Sequence, residues 1–281
     1  MNLNTVEEIQ SAAAITGGGS VWREGDSWLA GGTWLYSEPQ PAVRRLLDLR
    51  HLDWPPLEAG DSGLRIAATC TISELYAFSA PDTWHAAPMI GECCRAFLAS
   101  FKIWNFATVG GNICMSLPAG PMISLAASLE GSLHLIALGG SERRVPVVEF
   151  VTGPHQNLLQ PGELIRAIEI PASALVKRAA FRRIALTHMG RSTGLLIGTA
   201  ADPGSPFTLT VTAATPRPVQ LVFPHVPEAG ALRERLLAEI PDGAYFSDVH
   251  GSPEYRKHMT LHFAEEIRSE LASAAAQGRV Q

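Results

Sequence analysis

The sequence predicts an α+β fold with a large first domain and a smaller second domain. Up to Pro171, helix-like and strand-like segments mix irregularly, without the repeated βαβ units of a regular Rossmann sheet. Beyond Pro171, the strand-like segments of an antiparallel sheet follow one another, and two helix-like segments close the chain. Hydrophobic residues form 46% of the 281 residues and charged residues 17%, a composition that gives a folded chain with a substantial core.

The change of pattern near Pro171 sets the domain boundary. We predict a first domain over residues 1–174 and a second domain over residues 175–281. The Pro55-Pro56 pair separates two subdomains of the first domain, at about 1–54 and 55–174, because proline interrupts helices and the inner strands of sheets.

The first subdomain is predicted to begin with a helix. Thr5 and Glu8 have the spacing of a capping box, and an apolar run continues from them to Ile15. Short apolar segments at 27–30 and 46–49 predict two strands, joined by a turn or a short helix. The first subdomain is therefore expected to be a small α/β unit.

The remaining elements follow from the same periodicities. In the second subdomain we predict strands at 64–68, 133–138 and 164–170, and helices at 71–78, with Ser73 as N-cap, and at 85–101. In the second domain we predict strands at 181–186, 195–200 and 207–214, and helices at 228–239 and 253–275. No internal repeat or low-complexity tract interrupts this order.

Charge and cysteine usage exclude several classes of protein. The formal net charge is -5 and there is no basic run, so the sequence gives no electrostatic basis for binding nucleic acid. The N-terminal segment carries Glu7 and Glu8 and no long apolar run. We therefore expect neither a signal peptide nor a membrane span, and a cytoplasmic location. No two of the four cysteines have the C-x-x-C spacing of a zinc or iron–sulfur site, so reduced thiols without a metal are expected.

Two glycine-containing segments indicate a binding site for a phosphate-bearing ligand. Residues 30–33, Ala-Gly-Gly-Thr, follow a predicted strand, and glycine lets backbone amides approach a phosphate without a Cβ in the way. Residues 108–112, Thr-Val-Gly-Gly-Asn, offer a hydroxyl, consecutive unhindered amides and a side-chain amide. Either segment alone is typical of a tight turn, but together they can clamp a dinucleotide pyrophosphate from two sides. Neither has the spacing of a P-loop or of G-x-G-x-x-G, so the sequence does not support nucleoside triphosphate hydrolysis or a Rossmann cofactor site.

Around these segments the sequence resembles the FAD-binding subunits and domains of the xanthine dehydrogenase and carbon monoxide dehydrogenase group of molybdenum hydroxylases. The resemblance extends almost from end to end. Its most specific part is the T-x-G-G-N order at 108–112. The other matching segments are 29–33, 47–49, 105–113, 118–120, 161–164, 168–171, 180–183 and 252–256.

The resemblance implies the fold and the cofactor. It implies a FAD-binding domain of the molybdenum hydroxylase and vanillyl-alcohol oxidase type, with two subdomains that grip FAD, followed by a smaller α+β C-terminal domain. The residues that would hold the FAD diphosphate are Ala30, Gly31, Gly32 and Thr33 on one side and Thr108, Gly110, Gly111 and Asn112 on the other. Leu158 lies in a segment that lines the pocket in the family, and Arg182 stands where the family has a basic residue near the cofactor. From the residues alone, Arg182 is as typical of a surface charge on an edge strand.

Three residues near the expected cofactor site depart from the family pattern. Trp34 replaces a small polar residue, Trp104 stands where arginine is common, and Pro121 occupies the position of an aspartate that commonly binds FAD. Proline cannot supply the hydrogen-bond acceptor that aspartate provides. The sequence therefore predicts weaker FAD binding, with several backbone donors still in place.

The resemblance also implies an electron-transfer function. A large partner subunit with a molybdenum cofactor would hydroxylate the substrate, a small partner with [2Fe–2S] clusters would relay electrons, and FAD in this chain would pass them to an external acceptor. The whole is expected to be a dimer of heterotrimers. The sequence itself supplies no catalytic acid, base or nucleophile and no metal ligands. Two alternatives remain: a flavin-free interaction subunit, motivated by Pro121, and a self-contained flavin oxidase.

Overall fold

The first sheet of the chain is small and parallel. The computed structural model describes residues 4–12 and 22–273. Within them, the first sheet contains β1 (Glu8–Ser11), β2 (Asp26–Leu29) and β3 (Arg45–Asp48) in the order β1-β3-β2, and both pairs are parallel. All four side chains of β3 are buried, as expected for the central strand of a parallel sheet. A short 3-10 helix at Leu49–Leu52 follows β3.

The helix predicted at the start of the chain is wrong. Residues 8–11 form strand β1, although Thr5 and Glu8 have capping-box spacing. The strand gains a parallel ladder with the buried strand β3, and this pairing outweighs the helical tendency of a short segment, which is weak in isolation. The remainder of the predicted helix, from residue 13 to Ile15, lies outside the described residues.

The second sheet is antiparallel and supports the largest hydrophobic core. Its order is β4-β5-β10-β6-β7, formed by Leu57–Gly60, Gly63–Ala67, Glu163–Pro171, Ser132–Ala137 and Glu142–Pro146 respectively. The short hairpin of β8 (Val151–Gly153) and β9 (Gln156–Asn157) stands apart from it. The helices of this part are α1 (Ile72–Tyr76), α2 (Pro88–Ala96), α3 (Phe101–Trp104), α4 (Val109–Cys114), α5 (Pro121–Ser128), α6 (Val147–Phe150) and α7 (Ala172–Leu175).

Two predicted helices of this part need correction. Thr71, and not Ser73, caps α1, because the Thr71 hydroxyl accepts from the Glu74 amide and the Glu74 carboxylate accepts from the Thr71 amide. In place of the single helix predicted over 85–101, the structure has the shorter helix α2, which ends at Ala96. A separate helix, α3, begins at Phe101 with Ser100 as its N-cap residue. Both corrections concern capping, which apolar periodicity does not report.

The last part of the chain is an antiparallel sheet covered by helices. Its strands pair in sequence order as β11 (Arg178–Ile184), β12 (Gly194–Ala200), β13 (Phe207–Thr212) and β14 (Val219–Phe223). Helices α8 (Ala229–Glu239) and α9 (Pro253–Ser273) share its second core, with Leu232, Leu236, Phe263, Ile267 and Leu271 buried there. Helix α5 packs against β12 and β13, where the Ser124 and Thr212 hydroxyls lie 2.7 Å apart, and so joins the two parts of the chain.

The sheets change between β10 and β11, with helix α7 between them. The domain boundary between residues 174 and 175 stays a prediction, and it falls within α7. No helix in the described ranges, 4–12 and 22–273, is long and apolar enough to cross a membrane.

Candidate functional site

A cavity of about 810 Å³ opens where the first sheet, the helices after β5 and the last sheet meet. Its volume lies in the upper part of the roughly 300–1,000 Å³ range of ligand and cofactor sites. Both glycine segments form its wall, through Ala30, Gly31, Gly32, Thr33, Thr108, Gly110, Gly111 and Asn112. The structure thus brings together two segments that are distant in sequence.

The first glycine segment lines this cavity, and its Ala30, Gly31 and Thr33 also line a second, smaller cavity. It follows β2, whose ladder with β3 ends at Leu29. Among the described residues, none accepts a hydrogen bond from the amides of Gly31, Gly32 or Thr33, although the Gly32 carbonyl accepts from the Tyr36 amide. Gly32 has φ +70°, a left-handed conformation that favours glycine. Successive free amides of this kind form a site for an anionic group such as a phosphate.

The two glycine segments touch through their backbones. A Cβ atom on Gly31 would lie 1.7 Å from the carbonyl oxygen of Phe106, shortly before the second segment. Backbone atoms cannot turn aside as the end of a flexible side chain can, so any larger residue at this position forces the segments apart. Gly31 therefore sets the distance between the two walls of the cavity.

The second glycine segment is the first turn of helix α4 rather than an open loop. Thr108 is its N-cap residue, and the Thr108 hydroxyl accepts from the Gly111 amide at 3.0 Å. The amides of Val109 and Gly110 donate to backbone carbonyls just after β5, at 2.9 and 3.0 Å. These amides already have partners inside the protein, in contrast to those of the first segment.

Gly111 and Asn112 offer the cavity an open backbone and a side-chain donor. Apart from its own helix backbone, a Cβ on Gly111 would meet only the Thr108 hydroxyl oxygen, at 2.9 Å, within 4 Å among the described atoms. A ligand can therefore approach the backbone closely at Gly111. Asn112 Oδ1 accepts from the Met122 amide at 3.1 Å, so the side-chain NH2 group of Asn112 remains as a donor toward the cavity.

Pro121 forms the cavity wall at the start of α5. It is buried at the first helical position, behind Gly120, which has no side chain to cap the helix. Proline suits this position because its missing N–H would have had no partner within the helix. Pro121 itself supplies the wall with no side-chain acceptor, in line with the departure seen in the sequence.

Leu158 and Arg182 do not line the cavity. Leu158 is exposed, whereas the neighbouring Leu159 is in the cavity wall. Arg182 lies on β11, and its guanidinium contacts the carboxylates of Glu266 and Glu270 of α9 at 2.6 and 2.8 Å. Arg182 therefore links the last helix to its sheet, and the structure brings neither Leu158 nor Arg182 to the glycine segments.

The two tryptophans that depart from the family pattern lie in different places. Trp104 is outside the cavity wall, where its indole N–H donates to the Phe97 carbonyl at 3.0 Å and its ring packs edge-on against Tyr76. Trp34 is in the wall, directly after the first glycine segment, and its ring centroid lies 5.4 Å from that of His155. Of these two tryptophans, Trp34 is therefore the one placed to contact a ligand in this cavity.

The last part of the chain supplies a wall that the residues alone did not predict. It consists of Arg191, Ser192, Ala213, Phe246, Asp248, His250 and Arg256. Arg256 is 1% exposed and holds this wall together through hydrogen bonds to three carbonyls and one carboxylate, those of Thr193, Ala213, Gly251 and Asp248. The only sequence feature that indicated this wall was the segment at 252–256, which contains Arg256 and was recognised only through the family resemblance.

The thiol in the wall is unreactive. Burial raises the pKa of Cys114 to about 12, so this thiol stays protonated at neutral pH. Within residues 4–12 and 22–273, no group of three His, Cys, Asp or Glu side chains is placed to hold a metal ion. The described wall combines hydrogen-bond donors and apolar surface with the two carboxylates of Asp26 and Asp248.

These features define a class of protein: an α+β chain with a large cavity between two glycine segments, built to hold a phosphate-bearing cofactor. Residues 4–173 match the family described as the FAD binding domain in molybdopterin dehydrogenase. The chain belongs to this family. The resemblance found in the sequence is thereby confirmed.

Known relatives support the same family and fold. The beta subunit of caffeine dehydrogenase from Pseudomonas sp. (strain CBB1) is 32% identical over 101 residues, 36% of this chain and 34% of that protein. Xanthine dehydrogenase 2 from Arabidopsis thaliana is 23% identical over 121 residues, 41% of this chain and 9% of that protein. The matches thus span about a third or less of the length of these curated relatives.

A solved structure agrees over nearly the whole chain. Reconstituted CO dehydrogenase from Oligotropha carboxidovorans contains a chain with a TM-score of 0.78 and 22% identity, with 98% of this chain and 99% of that chain covered. At this identity the likeness concerns the fold. It confirms the predicted α+β fold class, with its FAD-binding domain followed by a further C-terminal part.

Proposed function

We propose that this chain is the FAD-binding subunit of a molybdenum hydroxylase complex and passes electrons from iron–sulfur clusters of a partner subunit to an external acceptor. The observation that carries this proposal is the row of free amides at Gly31, Gly32 and Thr33 in a cavity of about 810 Å³. A dinucleotide with a diphosphate matches both the donors and the volume. Membership of the FAD binding domain family selects FAD among such dinucleotides.

The residues present fit FAD. The amides of Gly31, Gly32 and Thr33 complement the charge of its diphosphate. The open backbone at Gly111 allows a close approach from the other side, and the Asn112 side chain adds a donor. Bound FAD supplies the ability to take up electrons singly and to deliver two of them together. The chain contributes binding, orientation and shielding from water.

The two alternative functions explain these features less well. In a flavin-free interaction subunit, the amides of the first glycine segment would have no ligand to bind. Polar groups without a partner cost free energy when they are withdrawn from water. A self-contained flavin oxidase needs a proton acceptor beside the substrate. The carboxylates in the described wall, Asp26 and Asp248, are both held by arginines, Arg45 and Arg256, which leaves His155 and His250 as the wall side chains for that role.

The partners of this chain are part of the proposal. We infer a large subunit with the molybdenum cofactor and a small subunit with [2Fe–2S] clusters, assembled as a dimer of heterotrimers. An apolar surface beside the first glycine segment supports a partner contact: Phe101, Ile103 and Phe106 are exposed. Ile103 and Phe106 also line a second cavity of about 360 Å³ together with Tyr36. Contiguous exposed apolar surface of this kind marks protein contacts.

The domain division and the location also belong to the proposal. We propose that residues 1–174 bind FAD, with subdomains of about 1–54 and 55–174, and that residues 175–281 form the second domain that closes the cavity. A cytoplasmic location is supported by the cysteines, which are all unpaired thiols and, apart from the half-buried Cys114, buried.

Purification from the native host tests this function. We expect the chain to co-purify with a large molybdenum protein and a small iron–sulfur protein. Under anaerobic conditions, the organic substrate of the complex should bleach the flavin absorbance of that complex. The isolated chain should keep its flavin spectrum when the same substrate is added. Rapid reduction of the isolated chain would instead identify a self-contained oxidase, and a chain that never brings down metal-containing partners would contradict the complex.

A further inference from the structure

Trp34 and His155 meet across the cofactor cavity. Trp34 directly follows the first glycine segment, whereas His155 lies in the turn between β8 and β9. Their ring centroids are 5.4 Å apart with an interplanar angle of 44°, and both residues line the cavity. Tilted ring pairs at such distances attract each other. The two rings therefore connect the loop that follows β2 with the hairpin of β8 and β9.

The protein holds His155 in an unfavourable backbone conformation. Its φ is +57°, in the left-handed region, which is uncommon for residues other than glycine although histidine adopts it more readily than most. The His155 amide donates to the Ser116 carbonyl at 3.1 Å, and Ser116 is itself left-handed with φ +50°. The Asn157 side chain donates to the Cys114 carbonyl at 2.9 Å, which fixes the hairpin to the end of α4. These contacts hold the turn in one conformation and so fix the position of the His155 side chain at the cavity.

The backbone of Trp34 is fixed as well. Its carbonyl accepts hydrogen bonds from the amide and the hydroxyl of Ser37, both at 2.9 Å. Trp34 directly follows Thr33, whose amide has no acceptor among the described residues. A large aromatic ring thus lies beside the amides at which the diphosphate would bind.

We propose that Trp34 and His155 form an aromatic clasp that closes over the cavity and slows the release of the bound dinucleotide. This inference rests on the proposed FAD function. The Trp34 ring keeps water away from the free amides of the first glycine segment, and hydrogen bonds to a charged group are stronger where water is excluded. His155 supports the ring from the opposite wall, so the clasp opens only when this contact breaks.

The clasp is tested by the rate at which the full-length, FAD-loaded chain releases FAD. We would compare the wild type with Trp34→Ser, His155→Gly and the double variant, following the rise of free-flavin fluorescence after dilution. Each single variant is expected to release FAD roughly three- to tenfold faster, the effect of losing one aromatic contact. The double variant should release FAD no faster than the faster single variant, because the two rings act as one unit.

The stability of the flavin-free protein separates a clasp from a purely structural role. Glycine adopts positive φ readily, which offsets the loss of the ring contact, so His155→Gly should leave the Tm of the flavin-free chain nearly unchanged. Asp53→Gly is the matched control, since Asp53 also has positive φ, +47°, and does not line the cavity. It should leave the release rate unchanged.

The possible outcomes are distinct. A wild-type chain that takes up no FAD overturns the proposed function and the clasp with it. A wild-type chain that binds FAD, with variants that release it at the same rate, overturns the clasp alone. Multiplying effects in the double variant, or tighter FAD binding after Trp34→Ser, would likewise contradict the clasp, the second because the ring would then obstruct the cavity.

Discussion

Replacing Gly31 with alanine should abolish measurable FAD binding and destabilise the fold, whereas replacing Gly111 with leucine should weaken FAD binding and disturb the fold only at the N-cap of α4, where the Thr108 hydroxyl lies 2.9 Å from the added Cβ. The added Cβ at Gly31 meets the Phe106 backbone carbonyl at 1.7 Å, so the two walls of the cavity must separate. Overpacking of this kind costs about 1–3 kcal/mol of unfolding free energy. A side chain at Gly111 extends into the open cavity and takes the place of the ligand.

Two measurements check these glycine variants: FAD titration of the flavin-free protein and its thermal unfolding. Gly230→Ala is the control, because nothing lies within 4 Å of a Cβ at Gly230, in the exposed first turn of α8. This variant should bind FAD as the wild type does and unfold at the same temperature or slightly higher. If Gly111→Leu binds FAD with unchanged affinity, the cofactor does not lie against α4.

Replacing Arg256 with methionine should cause the largest loss of stability of any single change in the cavity wall. Arg256 is 1% exposed, and it binds the Asp248 carboxylate and three backbone carbonyls. Breaking a buried ion pair by removing one partner costs about 3–5 kcal/mol, because the remaining charge and the carbonyls stay without partners. The loss is measured as the change in the free energy of unfolding from denaturant titration.

A surface ion pair provides the comparison for Arg256. Arg235 pairs with Glu239 at 3.0 Å on the exposed face of α8, with its side chain 54% exposed. Solvent and salt screen such a pair, so Arg235→Met should change the unfolding free energy by about 0.5 kcal/mol or less. Equal losses in the two variants would show that the hydrogen bonds of Arg256 do not support the wall of the last sheet.

The sequence was most informative where local chemistry decides the structure. The glycine segments at 30–33 and 108–112 were identified as one site, because glycine is required wherever backbones or ligands approach closely. Strands β12 and β13 of the last sheet were also located, since their apolar runs are long and continuous, whereas β14 (Val219–Phe223) was not predicted. The family resemblance then linked these segments to a cofactor, which composition and periodicity alone could not name.

The errors arose where distant contacts decide the structure. Residues 8–11 form a strand because of their pairing with β3, and no local pattern reports that partner. Arg182 was assigned either to the cofactor or to the surface of an edge strand, and its ion pairs with two carboxylates of α9 on the edge strand β11 favour the second assignment. The second glycine segment was expected to present its amides to the ligand, yet Val109 and Gly110 donate to carbonyls after β5. In each case the partner is set by tertiary packing.

The central claim, that the cavity holds FAD through its diphosphate, is tested most directly by equilibrium titration of the flavin-free chain with FAD and with FMN. FMN lacks the second phosphate and the adenosine, and it therefore loses charge-assisted hydrogen bonds to the first glycine segment, each worth about 1.5–3 kcal/mol. We predict that FAD binds noncovalently with one molecule per chain, that acid precipitation releases it, and that FMN binds at least about a hundredfold more weakly. A chain that takes up no FAD, or that binds FMN as tightly as FAD, would contradict this account of the cavity.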